Sequence, residues 1–226
     1  MMRAMKKNAI DILFSNNRAW AQRMERERPG FFTALLAQQT PRYMWIGCSD
    51  SRVPANQITG LAPGEVFVHR NLANVVAHSD LNCLSTIQYA VDHLRVEHLM
   101  VVGHYGCNGV RAALGDERIG LSDLWIRQVR DVRDQHKYLL AGLPPQWHHD
   151  ALCELNAIAQ VRHVAQTSAL QDAWARGQDI ALHGWCYGLG NGLITDLCMT
   201  LHGVDDVERQ YAEAVARVAA RDRGQM

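Results

Sequence analysis

The alternation of short apolar segments with longer helical patterns is the feature that most limits how this chain can fold. Arg42-Tyr43-Met44-Trp45-Ile46-Gly47, Glu65-Val66-Phe67-Val68-His69, His98-Leu99-Met100-Val101-Val102 and residues 179–185 are each too short for a helix and bounded by proline, glycine or polar clusters. They read as buried strands. Helical patterns run over about residues 80–94, 121–140 and 150–176, the last two separated by Gly142-Leu143-Pro144-Pro145, and another covers about 204–220. A strand that returns through a helix runs parallel to its predecessor, so the expected fold is α/β, a mostly parallel central sheet with helices on both faces. Residues 1–40 form an N-terminal helical arm, with Ile10, Leu13 and Phe14 on one face and a break at Pro29-Gly30 before Phe31-Phe32. No repeat or linker divides the chain, so 1–226 reads as one domain: arm 1–40, core 41–203 and C-terminal helix 204–226.

Charge and composition narrow the function. The 23 Lys and Arg balance 23 Asp and Glu, which argues against a nucleic-acid partner bound through bulk charge. No apolar run approaches the roughly 20 residues of a membrane span. Six cysteines in 226 residues are too sparse for a stapled secreted scaffold, and the first residues lack the apolar stretch of a signal peptide. The expected compartment is the cytoplasm, where thiols stay free for metal or chemistry.

Two of the strands run directly into unusual loops. The first enters Cys48-Ser49-Asp50-Ser51-Arg52 and the third enters Gly103-His104-Tyr105-Gly106-Cys107-Asn108-Gly109. Ligands gather beyond the carboxyl ends of parallel strands, and these two ends offer two thiols, an imidazole and a carboxylate. Zinc takes those donors in tetrahedral geometry, and His-x-x-Cys lets two of them reach one ion from a single tight loop, with the three glycines supplying flexibility. Singly, each cysteine reads as core filler. Their conjunction at glycine-rich strand ends, beside an Asp and an Arg that a core would not choose, favours a metal site. Asp50 then has two possible partners: paired with Arg52 it leaves the fourth zinc position open to water, and swung onto zinc it closes the site.

These two motifs closely resemble the zinc signature of the β-carbonic anhydrases. The similarity runs from about Arg28 to Leu193 through Gly60-Leu61, Pro63-Gly64-Glu65, His69-Arg70-Asn71 and His183-Gly184-Trp185, and looks nearest to the bacterial branch. The resemblance implies one Zn2+ per chain on Cys48, His104 and Cys107, with Asp50 joining only in a closed state. It assigns Asp50 and Arg52 as the catalytic dyad and Gln39 as an amide reaching the substrate across a dimer interface. Phe67, Leu72 and Tyr89 would line the apolar substrate pocket. The implied reaction is reversible hydration of carbon dioxide to bicarbonate, by a homodimer or dimer of dimers. Because thiolates donate more charge to zinc than imidazoles, activity should rise into alkaline pH.

A second resemblance, to the bicarbonate-regulated type II subgroup, implies an allosteric bicarbonate site at Trp45, Arg70 and Tyr187. On an extended strand positions 45 and 48 face opposite ways, so Trp45 should lie away from the zinc side. Asn108 stands where many relatives have glycine, and its tolerance of left-handed backbone should leave the loop intact. Other readings remain open: a zinc hydrolase of another small linear substrate, a noncatalytic zinc or bicarbonate sensor, and a redox protein with a disulfide instead of zinc. Cys83, Cys153, Cys186 and Cys198 read as buried thiols, and His148-His149 as a solvated loop and helix start.

Overall fold

The computed structural model describes residues 2–115 and 118–221 and separates into two compact units, Met1–Gln39 and Thr40–Met226. In the first, α1 (Met2–Glu27) and α2 (Phe31–Ala37) are joined through Gly30, whose φ of 81° makes the corner and whose amide donates to Glu25 Oε1 at 2.7 Å. Trp20, Phe31 and Phe32 pack edge to face inside this corner. Ile10, Ile12, Leu13 and Phe14 form the arm's most exposed apolar stretch.

The second unit runs β1 (Tyr43–Cys48), α3 (Ala55–Thr59), β2 (Val66–Asn71), α4 (Leu81–Gln88), β3 (His98–His104), α5 (Asn108–Leu114), α6 (Ser122–Gln135), α7 (Lys137–Ala141), α8 (His148–Ala165), α9 (Ser168–Ala175), β4 (Ala181–Tyr187), β5 (Ile194–Leu201) and α10 (Val207–Ala220). The sheet order is β2-β1-β3-β4-β5. Its first four strands are parallel, and β5 pairs antiparallel with β4. β1 is buried from Met44 to Cys48, which is why a central strand reads as an unbroken apolar run.

Three differences from the sequence reading have local causes. The 121–140 pattern breaks at His136, where φ −105° and ψ 20° leave the helical region. The 150–176 pattern breaks at Thr167, which is extended and turns its Oγ1 back onto the Val164 carbonyl at 2.7 Å. β5 was not expected at all, although Leu197, Met199 and Leu201 alternate inward along it. The pairing register against β4 shifts at Gly184/Trp185, and Cys198 takes φ 55° there.

The helices load the two sheet faces unequally. α8 packs against β3, β4 and β5, and α10 packs against α8 and β5. Residues 151–161 of α8 are all buried, including Glu154, Asn156 and Gln160. A helix apolar all round belongs at a centre, and its polar side chains there need partners. Asn156 Nδ2 donates to the Ala73 carbonyl at 2.9 Å and Gln160 Oε1 accepts from the Val76 amide at 2.8 Å, fixing the loop after β2, where Ala73 and Asn74 both have positive φ. On the opposite face a smaller cluster gathers Trp45, Val53, Ala55, Met100 and Val102.

Candidate metal centre

Chain reversal in the sheet decides where the site lies. From β1 the chain crosses to β2 on one side and then to β3 on the other, so the carboxyl ends of β1 and β3 flank a topological switch point. Cys48 ends β1, His104 ends β3 and Cys107 caps α5. All three are buried, and their donor atoms lie within 4.8 Å of one another. The sulfurs are 3.9 Å apart and unbonded. The turn between His104 and Cys107 passes through Gly106 at φ 73°, a left-handed conformation that side chains resist. Gly103 and Gly109 instead sit in regular structure, and Asn108 is the first residue of α5, so its left-handed tolerance is not used.

The electrostatics are those of a cation site. His104 Nδ1 donates to the Tyr105 carbonyl at 3.1 Å, leaving the lone pair on Nε2, which is buried without a hydrogen-bond partner among the described residues. A hydrogen bond from Cys107 pulls the Cys48 thiol below its ordinary value, while the same bond and burial push Cys107 up. One sulfur therefore offers its proton to the other. A divalent ion replacing that proton would satisfy both sulfurs and the orphaned nitrogen, and two sulfurs with an imidazole suit zinc. The residues fit the metal.

Asp50 is turned onto Arg52. Arg52 Nε donates to Oδ1 at 2.9 Å and Nη2 to Oδ2 at 2.6 Å, and the Arg52 backbone amide adds a third bond to Oδ1. These bonds hold the carboxyl well below the usual carboxylate range. Its Oδ2 lies 3.8 Å from His104 Nε2, so the same carboxylate borders the donor set.

The other expected residues are only partly brought together. Phe67 and Tyr89 meet with ring centroids 5.9 Å apart. Leu72 lines an open apolar groove of about 570 Å³ with Asn71, Leu121, Ser122, Leu124 and Trp125. Gln39 is exposed at the end of the first unit. Trp45 lies in the smaller cluster with Tyr187 beside it, on the face opposite the larger core that contains Cys48. Arg70 pairs with no acid among the described residues: its Nε donates to the Cys48 carbonyl at 2.8 Å and its Nη2 to the Asp50 carbonyl.

Sequence reasoning passed over several residues. His148 and His149 do open a helix, α8, but His149 is not solvated: it is half-buried, and Nε2 donates to the Cys107 carbonyl at 2.9 Å. Cys198 is exposed rather than buried. Cys83 does have possible metal companions, since His69, Asp80 and Cys83 converge. That trio has structural partners already: Asp80 caps α4 through the Asn82 amide, His69 Nε2 meets the Asn71 amide, and burial pushes the Cys83 thiol up to about 12.

A sheet switch point carrying two thiols, an imidazole and a carboxylate held by a guanidinium defines an α/β metalloenzyme with its site at the strand ends. Residues 43–194 match the carbonic anhydrase family, and the chain belongs to it. A carbonic anhydrase of Emericella nidulans is 44% identical over 203 residues, 89% of each chain. The Coccomyxa β-carbonic anhydrase solved in complex with acetazolamide superposes with a TM-score of 0.84 at 41% identity, covering 87% of this chain and 90% of that one. A tetrameric β-carbonic anhydrase of the filamentous ascomycete Sordaria macrospora gives 0.82 at 37% identity, covering 86% and 99%. These likenesses place the chain in the β class. They do not bear out the expected nearness to the bacterial branch or to its bicarbonate-regulated type II subgroup, because strong matches come from fungi.

Proposed function

We propose that this chain catalyses the reversible hydration of carbon dioxide to bicarbonate and a proton, with one zinc ion held by Cys48, His104 and Cys107. The observation that carries this reading is the buried lone pair of His104 Nε2, lying within 4.8 Å of the sulfurs of Cys48 and Cys107. Bound there, zinc supplies Lewis acidity that brings the pKa of water toward neutrality. Asp50 stays ionised at working pH, so it orients water as a hydrogen-bond acceptor instead of titrating. Arg52 pins that carboxylate. Phe67, Leu72 and Tyr89 offer an apolar surface suited to a linear, uncharged substrate, and Gln39 of a neighbouring chain completes the site.

Asp50 on Arg52 leaves a fourth ligand position to solvent, which favours an enzyme over a sensor held closed. Metal analysis combined with stopped-flow hydration tests this. The expected result is one zinc per chain and hydration that rises from neutral into alkaline pH, both lost in Cys48→Ser. Full activity from metal-free folded protein would overturn it.

A second site for bicarbonate at Trp45, Arg70 and Tyr187 has its own support. Trp45 Nε1 is a buried donor without a hydrogen-bond partner among the described residues, and Gly47 beside it leaves room for the indole. Arg70 stands next to Gly47 in register and holds the carbonyls of Cys48 and Asp50, so an anion drawing on its guanidinium would pull the loop that carries the dyad. Bicarbonate would thereby favour Asp50 swinging to the metal, as would low pH. Trp45→Phe should weaken bicarbonate inhibition with zinc content unchanged; equal inhibition in both proteins removes this site.

For assembly, the exposed apolar residues of α1 support a homodimer or dimer of dimers built through the arm. All six cysteines are free, which suits the cytoplasm. No helix among the described residues is long and apolar enough to cross a membrane.

A further inference from the structure

One helix reaches the metal loop at two points. At Gly103 an added Cβ would lie 3.2 Å from the Cys153 carbonyl oxygen and 3.3 Å from Ala157 Cβ, so α8 sits directly against the end of β3. From there His149 holds the Cys107 carbonyl, and Glu154 Oε1 accepts from the Tyr105 hydroxyl at 2.7 Å. Glu154 is fully buried, and Arg221, just beyond α10, places Nε 3.1 Å from the same oxygen. An ion pair at such depth is weak evidence for stability, because an apolar pair of similar volume serves packing as well. Its position is more telling: Tyr105 stands between the two ligands of the His-x-x-Cys turn.

We propose that Glu154 and His149 are positioning residues for the metal, with α8 clamping the loop from His104 to Cys107 at Tyr105 and at Cys107. The clamp sets the separation of His104 Nε2 and Cys107 Sγ before metal arrives, and Arg221 balances the Glu154 charge. Residues behind metal ligands orient them and, when removed, typically reduce affinity about 10–100-fold. Nothing in this role touches substrate, so its signature belongs in metal binding and in the ligand field. The inference rests on Cys48, His104 and Cys107 being the zinc ligands.

The test is zinc affinity by chelator competition, with the absorption spectrum of the cobalt-substituted protein, for the parent, Tyr105→Phe, Glu154→Gln and the double variant. Tyr105→Phe should weaken zinc binding about 10–100-fold and shift the cobalt bands. Glu154→Gln keeps an acceptor oxygen and should lose less, and the double variant should match Tyr105→Phe alone. Tyr105→Phe within twofold of the parent, with an unchanged spectrum, overturns the clamp, as do losses that multiply in the double variant. A parent that binds no zinc overturns the ligand assignment itself, and the clamp with it. Thermal melts of the zinc-loaded proteins separate a positioning effect from general destabilisation, which would lower the melting temperature and leave the bands in place.

Discussion

Asp50 shows how much one residue's chemistry depends on its neighbours. Three hydrogen bonds from Arg52 depress its pKa, so the stabilisation they give is present above the unfolded carboxyl value of about 3.9 and fades as pH falls below it. Arg52 is half exposed, so solvent screens that contribution. Urea midpoints should therefore be lower for Asp50→Asn than for the parent at pH 7 and converge in acid; a difference that persists at pH 2 contradicts the assignment. In stopped-flow hydration the same variant should lose about 10–100-fold with its zinc retained. Much at this scale was legible in the sequence: Cys48, Asp50, Arg52, His104 and Cys107 stand in two short motifs. Glu154 and His149 were not, because a glutamate or histidine within a helical pattern looks the same whether it meets solvent or a loop about 50 residues away.

At the scale of elements, glycines set what can pack and turn. Gly106→Ala forces a side chain into φ 73° and should destabilise by about 1–2 kcal/mol, read from urea unfolding at constant m-value. Gly103→Ala would press on the Cys153 carbonyl and should cost about 1–3 kcal/mol while loosening zinc, since α8 must back away from the strand that carries His104. Stability unchanged in Gly103→Ala would mean that the helix yields freely. The parallel strands and most helices were visible as apolar runs and periodic patterns. The breaks at His136 and Thr167 were not, because a single residue leaving helical geometry barely disturbs a periodic pattern.

For the molecule as a whole, the arm's exposed Ile10, Ile12, Leu13 and Phe14 call for a partner. If that partner is a second copy, Leu13→Asp with Phe14→Ser should shift sedimentation toward a smaller species and lower hydration, because Gln39 would no longer reach a neighbouring site. An unchanged oligomer would place the interface elsewhere. The two sheet faces carry different duties at this scale: the α8 face holds the metal ligands, and the opposite face holds Trp45 and Tyr187.

The amino-acid sequence by itself determined the α/β class and marked the two strand-end motifs that carry Cys48, Asp50, Arg52, His104 and Cys107, since these depend on local patterning and on residues a few positions apart within each motif. Only the tertiary structure decided that Asp50 faces Arg52, that Arg70 grips the carbonyls of Cys48 and Asp50, and that α8 backs the metal loop. The Arg70 and α8 contacts join segments 20 to 50 residues apart, and their partners are chosen by strand order and by how closely a helix can approach a glycine, neither of which is written in any single stretch of chain.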